Sequence, residues 1–266
     1  MAVRPMSAEG PAIEVDHLTV SYGTQTVLFD VTLTIERGLL VGVIGPNGGG
    51  KSTFIKSILG FVKRDVGAVS ILGRQAEKAK GLVAYVPQRG AVDWDFPITV
   101  GQVAMMGRYG RIPWWRDPGP VDKRIVDEAL EMVRMSDFRD RQIGQLSGGQ
   151  QQRVFMARAL AQGAEVLLLD EPFAGVDAAT ERAILDVLHT AREAGKTLVV
   201  VHHDLATAAE YFDRLALIKK RLYAYGPPEA VLQEDLMAQV YEGRLQVFTR
   251  MGESRKEDKE TCGGHA

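Results

Sequence analysis

Short apolar runs divided by polar turns recur along the chain, and their spacing separates strands from helices. Ile13 to Val20 alternates in part between apolar and polar positions, and Val27 to Ile35 follows it, so both segments predict strands. After the turn Glu36-Arg37-Gly38, the run Leu39 to Ile44 is short and apolar, as in a buried strand. Lys51 to Leu59 reads as a helix that stops at Gly60. Further strands are expected at Val66 to Leu72, Leu82 to Val86, Val166 to Leu169 and Leu198 to Val201. Helices are expected at Val121 to Met135, Gly148 to Gln162 and near Ala179 to Ala194. Strands alternating with helices predict an α/β core on a parallel sheet. Between Gly90 and Pro120 the pattern changes: this stretch holds all three tryptophans and four prolines, and about 90–162 is expected to form a largely helical insertion. From Arg250 onward almost no side chain is apolar, so residues 250–266 are expected to be a disordered tail. Residues 1–11 are expected to be a disordered arm, leaving 12–249 as the folded domain.

Composition narrows the partners. The 266 residues are 45% hydrophobic, ample for one compact core. With 32 basic and 34 acidic residues the net charge is −2, which points to no nucleic-acid partner. A single cysteine, Cys262, excludes an internal disulfide framework and suits a reducing compartment. Residues Met1 to Pro11 lack the apolar core of a secretory signal. The apolar runs Val166 to Leu169 and Leu198 to Val201 are far too short to span a bilayer.

The strongest chemical signal is Gly45-Pro46-Asn47-Gly48-Gly49-Gly50-Lys51-Ser52, which stands between a predicted buried strand and a predicted helix and is followed by Thr53. In that setting the glycines leave backbone N–H groups free to face phosphate oxygens, and the helix start adds its positive end. Lys51 is expected on the β and γ phosphates and Ser52 on Mg²⁺. A second signal is Asp170-Glu171 at the end of the predicted strand from Val166, the side on which open parallel sheets bind ligands. Asp170 is placed to hold Mg²⁺, directly or through water, and Glu171 to orient and deprotonate an attacking water. A third is Leu146-Ser147-Gly148-Gly149-Gln150 ahead of a periodic helix, a second anion site at a helix N-terminus.

Together these motifs resemble the ATPase subunits of ABC transporters, and the likeness runs from about Ile13 to Val240. The resemblance implies a P-loop NTPase core with a parallel sheet, an N-terminal antiparallel β subdomain and an inserted α-helical subdomain. It also implies ATP and Mg²⁺ as cofactors, and a head-to-tail homodimer in which Ser147 and Gly149 of one subunit close on the γ-phosphate held by the other. By motif, Tyr22 in Ser-Tyr-Gly matches the aromatic that stacks on adenine. Gln88 in Tyr-Val-Pro-Gln matches the glutamine that senses Mg²⁺ and water, Asp177 the loop that communicates across the dimer, and His203 the switch on the γ-phosphate. Asp177 could equally cap the helix after it. His202 and His203, as successive strand residues, would point to opposite faces, so His202 is expected to be structural. Gly49 stands where many members carry Ala or Ser, which should loosen the loop slightly. Ala174-Gly175-Val176-Asp177 departs from the commoner Ser-Ala-Leu-Asp.

The segment Ala91 to Val100, with Trp94 and Phe96, followed by Met105-Met106-Gly107-Arg108-Tyr109-Gly110 and Trp114-Trp115, resembles importers of manganese, zinc or iron, manganese above all. That likeness implies a membrane permease docked on about 88–115, an extracytoplasmic metal-binding protein reached only indirectly, and a place on the cytoplasmic face of the membrane. Cys262 and His265 have metal-like spacing, but two ligands are too few for a closed site. Two alternatives stay open at this point: a soluble ABC ATPase of DNA repair or translation, and a transporter ATPase for another solute.

Overall fold

The structure, a computed structural model, describes residues 10–88 and 96–241. Trp94, most of the expected arm, residues 242–249 of the expected domain, and the expected tail with Cys262 and His265 lie outside the described residues. In chain order the elements are β1 (Ile13–Tyr22), β2 (Gln25–Ile35), β3 (Leu40–Ile44), α1 (Lys51–Ile58), β4 (Val66–Ile71), β5 (Arg74–Gln75) and β6 (Val83–Val86). Next come α2 (Val100–Tyr109), α3 (Pro120–Met132), α4 (Gly148–Ala161), β7 (Val166–Asp170), α5 (Ala178–Glu193) and β8 (Thr197–Val201). The chain continues through α6 (Leu205–Tyr211), β9 (Arg214–Lys219), β10 (Arg221–Gly226), α7 (Pro228–Val231) and α8 (Glu234–Tyr241).

Two sheets organise the molecule. An antiparallel sheet has the order β2-β1-β4-β5. A six-stranded sheet has the order β10-β9-β3-β8-β7-β6, and its five strands from β9 to β6 run parallel. The parallel sheet expected from the alternation is therefore present, with one addition: β10 closes its edge as an antiparallel hairpin partner of β9.

The strand alternation divides the core into two layers. Val41, Val43, Val166, Leu168, Val199 and Val201 face the antiparallel sheet, and Phe54, Ile55 and Ile58 of α1 fill the space between the two sheets. Leu40, Leu167, Leu169, Leu198 and Val200 face the opposite way, into the layer built with α2 to α5. Burial on both faces is why these strands read as unbroken apolar runs. β1 has one buried face, yet its alternation is imperfect. Ile13 and Val15 are buried, then Leu18 and Val20. The change of parity is a bulge between Val15 and Leu18, where His17 adopts a φ of 48° and its Nδ1 meets Asp30 Oδ1 at 2.6 Å across β2.

Three helical features show what local chemistry decides. Thr99 starts α2 with a capping box: its Oγ1 accepts from the Gln102 N–H, and Gln102 Oε1 accepts from the Thr99 N–H. Pro120 occupies the first turn of α3. α3 then stops at Met132, short of the expected Met135. Arg134 takes a φ of 57°, its N–H donates to Glu131 O, and the Met135 N–H folds back to Leu130 O at 2.8 Å. This terminus places an arginine where glycine is usual, so no breaker residue marks it in the sequence.

Phe54 is fully buried between the sheets. Phe54→Ala is expected to lower the unfolding free energy by about 3–5 kcal/mol, read as a fall in the urea midpoint at unchanged slope.

Candidate functional site

β3 delivers the chain to a loop that only glycine can build. A side chain at Gly45, where φ is 146°, would place its Cβ 2.0 Å from Ile218 O. At Gly50, where φ is 97°, it would stand 2.7 Å from a Leu28 methyl group and 2.9 Å from Val27 O. Gly49 does not loosen the loop as expected. Its N–H donates to Pro46 O at 3.0 Å, its carbonyl accepts from the Lys220 N–H at 2.8 Å, and a Cβ there would lie 2.9 Å from Pro46 O and 3.0 Å from Ile218 O. The loop is thus clamped against the β9–β10 turn, and an alanine would force those carbonyls aside.

Lys51 opens α1 and is buried. Its Nζ donates to Gly45 O at 2.9 Å and Pro46 O at 3.0 Å, which closes the loop on itself. Burial lowers its pKa, opposed by the charges of Glu171 and Asp170. Ser52 Oγ donates to Asp170 Oδ1 at 2.9 Å. Asp170 ends β7 and is itself buried. Burial pushes its carboxyl above the usual range, and the Ser52 hydrogen bond opposes that shift. A hydroxyl and a carboxylate side by side form a hard oxygen pair of the kind Mg²⁺ takes.

Beside them, Glu171 adopts a φ of 51°, a left-handed conformation costing on the order of 1–3 kcal/mol for a non-glycine residue. Its Oε2 accepts from Gln88 Nε2 at 2.8 Å. The two residues are 83 apart in sequence, and β6 and β7, which end just before them, are parallel neighbours. A cavity of about 700 Å³ brings together Tyr22, Asn47, Gly48, Gly49, Gly50, Lys51, Ser52, Thr53, Gln88, Glu171 and His203. Pro46 and Gly45 line an adjoining hollow with His203 on the far side of the loop. Sequence reasoning missed Val27 in the cavity lining, and it gave Ala174 and Gly175 no place there. Val27 has no motif of its own; the register of β2 against β1 places it.

Ser147, Gly148, Gly149, Gln150 and Asp177 do not line this cavity. Ser147 caps α4 in a capping box with Gln150, whose Oε1 accepts from the Ser147 N–H at 2.9 Å. Asp177 caps α5: its Oδ1 accepts from the Ala179 and Thr180 N–H groups, and its Oδ2 from Thr180 Oγ1. Those bonds, led by the one from the Thr180 N–H, hold its pKa below the usual carboxylate range. Gly149 and Thr180 are in close approach, since a Cβ on Gly149 would stand 2.5 Å from Thr180 Cγ2. The start of α4 at Ser147 to Gln150 and the Asp177 turn are therefore one surface, which does not line the cavity of the phosphate loop.

β8 ends at Val201, so neither histidine belongs to the strand. His203 is exposed to the cavity, whereas His202 is 1% exposed, packed among Phe173, Tyr211 and Phe212, with Nε2 2.8 Å from Thr207 Oγ1. Among the described residues, no group of three or more His, Cys, Asp and Glu could hold a metal ion. Burial, with a smaller push from His203, lowers the His202 pKa to about 4. The unfolded chain protonates this ring near pH 6.5 and the folded protein does not. Stability is therefore complete above pH 6.5 and falls as pH drops towards 4. Urea unfolding should show a loss of about 2 kcal/mol from this residue between pH 7 and pH 5, and His202→Thr should lack that component.

Comparison with known proteins gives the family. The sequence profile of the ABC transporter family matches residues 28–174. The manganese transport system ATP-binding protein MntB of Bacillus subtilis is 52% identical over 233 residues, covering 88% of this chain and 93% of that protein. The zinc transport system ATP-binding protein TroB of Treponema pallidum is 49% identical, covering 98% of each. Among solved structures, an ATP-binding cassette of an ABC transporter in its ADP conformation superposes with a TM-score of 0.78 at 25% identity, over 88% of this chain and 99% of that one. A glycine-rich phosphate loop, a carboxylate pair at the end of a buried strand, and relatives this similar over nearly their whole length show that the chain belongs to the ABC transporter family, as one of its ATP-binding ATPase subunits.

Proposed function

We propose that this ATPase powers an importer of a divalent transition metal, manganese foremost, with zinc or iron as the other cargoes its kinship allows. The observation that carries the hydrolytic part is the 2.8 Å hydrogen bond joining Gln88 to Glu171 at the mouth of the cavity that holds the phosphate loop. Backbone N–H groups of Gly48, Gly50 and Lys51, the amine of Lys51 and the positive end of α1 bind the phosphates, while Tyr22 stacks on the adenine. Thr53 lies beside the same phosphates. Ser52, Asp170 and Gln88 supply the oxygens for Mg²⁺, which neutralises charge on the β and γ phosphates when bound. Glu171 accepts the proton of the attacking water, Gln88 orients both, and His203 contacts the γ-phosphate.

Ser147 to Gln150 and Asp177 lie off the cavity, which supports their use on a second subunit. In that reading two copies pair head to tail, and the free N–H groups at the start of α4 close on the partner's ATP. No helix among the described residues is long and apolar enough to cross a membrane. In this reading the transport step belongs to a membrane permease docked on about 88–115 at the cytoplasmic face, with an extracytoplasmic binding protein beyond it. Phe96, Met106, Trp114 and Trp115 in that region are exposed apolar side chains of the kind a partner covers. Cargo rests on the relatives, whose names specify manganese and zinc transport systems.

Glu171→Gln should retain ATP binding and lose about 10²–10⁴-fold in turnover, measured as phosphate release beside equilibrium nucleotide binding. Unchanged turnover would remove Glu171 as the base. In cells lacking the chain, manganese uptake under limitation should fall, and should be rescued by wild type but not by Glu171→Gln. A selective loss of zinc or iron uptake would reassign the cargo, and no loss of any metal would discard metal import.

A further inference from the structure

The turn that carries Glu171 and the loop that carries His203 share a buried aromatic cluster. Asp170 and Val201 pair in register at the ends of β7 and β8, so Glu171 and His202 leave the sheet as neighbours. The Ala174 N–H donates to Glu171 O at 3.2 Å and closes a turn that contains Phe173. The Phe173 ring meets the His202 ring edge to face, with centroids 5.4 Å apart and planes at 85°. Tyr211 and Phe212, at the end of α6, complete the packing at 5.9 Å and 5.4 Å from His202. Phe212 lies close under β3, since a Cβ on Gly42 would stand 2.6 Å from its Cδ2. His202 is also held by two hydrogen bonds. Its backbone N–H donates to Val43 O of β3 at 3.0 Å, and its Nε2 is 2.8 Å from Thr207 Oγ1 of α6. The next residue, His203, is exposed in the cavity, with its ring 5.8 Å from that of His202.

We propose that His202 is a positioning residue for hydrolysis: its ring, tied to Thr207 and wedged against Phe173, sets the direction of His203. This rests on the reading of His203 as the contact to the γ-phosphate. A side chain hydrogen-bonded at one end and packed edge to face on the other is confined to one rotamer. With its backbone N–H fixed on β3 as well, His202 leaves the peptide to His203 little freedom, so the exposed ring of His203 starts from a fixed point. Packing alone would be satisfied by an apolar side chain of the same volume, which would leave Thr207 without its partner. A misplacement on the order of 1 Å at a reacting centre lowers a rate by up to about 100-fold. His202 does not line the cavity and acts only through its neighbour.

The test uses the purified full chain, assayed for ATP turnover and for equilibrium binding of ADP and of the β,γ-imido analogue of ATP. Thr207→Val removes the hydroxyl at nearly constant volume and should lower kcat about tenfold. It should also weaken the analogue against ADP by about threefold, because only the analogue carries a γ-phosphate for His203. Thr207→Ser keeps the hydroxyl and should recover most of the turnover. In a His203→Ala background, Thr207→Val should leave the analogue-to-ADP preference unchanged, since the group being positioned is gone. A Thr207→Val kcat within about twofold of wild type would overturn the proposal. So would a Thr207→Ser protein as slow as Thr207→Val, or a full effect of Thr207→Val on the preference when His203 is already absent. A His203→Ala protein that binds the analogue and turns over ATP as wild type does would instead strike the γ-phosphate role of His203.

Discussion

The carbonyl of Ile218 occupies the space that a side chain at Gly45 would fill, and most of the site follows from that approach. β9 lies beside β3 in the parallel sheet, so the end of β9 presses directly on the loop that leaves β3. On the other side Val27 and Leu28 of the antiparallel sheet press on Gly50. Two segments from distant parts of the chain thus converge on one loop. At Gly45 and Gly50 only residues without Cβ fit against them, and the hydrogen bonds from Gly49 and Lys220 then hold the loop in place. The backbone of a loop clamped in this way is set before an anion arrives, which favours electrostatic binding, and the Lys51 amine is the group that has to turn from Gly45 O and Pro46 O towards it.

The two carboxylates at the end of β7 show how one turn of backbone separates two environments. Asp170 still belongs to the strand, is buried, and faces Ser52 at the start of α1. Glu171 takes a left-handed φ, leaves the strand and turns into the open cavity towards Gln88. Neighbouring acids in a regular strand would also point apart, but the second would then enter the apolar layer behind the sheet. The strained backbone at Glu171 keeps it in the cavity with the phosphate loop, a placement that the surrounding structure has to enforce.

Much of this was legible in the residues because it depends on consecutive positions. The phosphate loop, the capping signal at Ser147 with Gln150, and the apolar runs of β3, β7 and β8 all specify local geometry or two-sided burial within a few residues. His203 was separated from His202, although the argument assumed a strand; the strand ends first, and it is the aromatic packing of Phe173, Tyr211 and Phe212 that takes His202 inward. Less legible were elements with weak or misleading punctuation. The end of α3 uses Arg134 in place of glycine, and the β9–β10 hairpin turns at Lys220 with a φ of 59°. The bulge at His17 hid the pattern of β1, because a one-residue shift exchanges the faces of a strand.

By itself, then, the sequence determined the kind of chemistry and its family, since a phosphate loop, an acidic strand end and a capped glycine pair are short contiguous patterns, each with its own physical requirement. Tertiary structure decided which of these groups share a cavity. It brought Gln88 to Glu171, Ser52 to Asp170 and Tyr85 to Phe61, and it left Ser147 and Asp177 together on another surface. Those distances depend on strand order and register, which arise from burial of the whole apolar pattern at once, and no local stretch of residues encodes them.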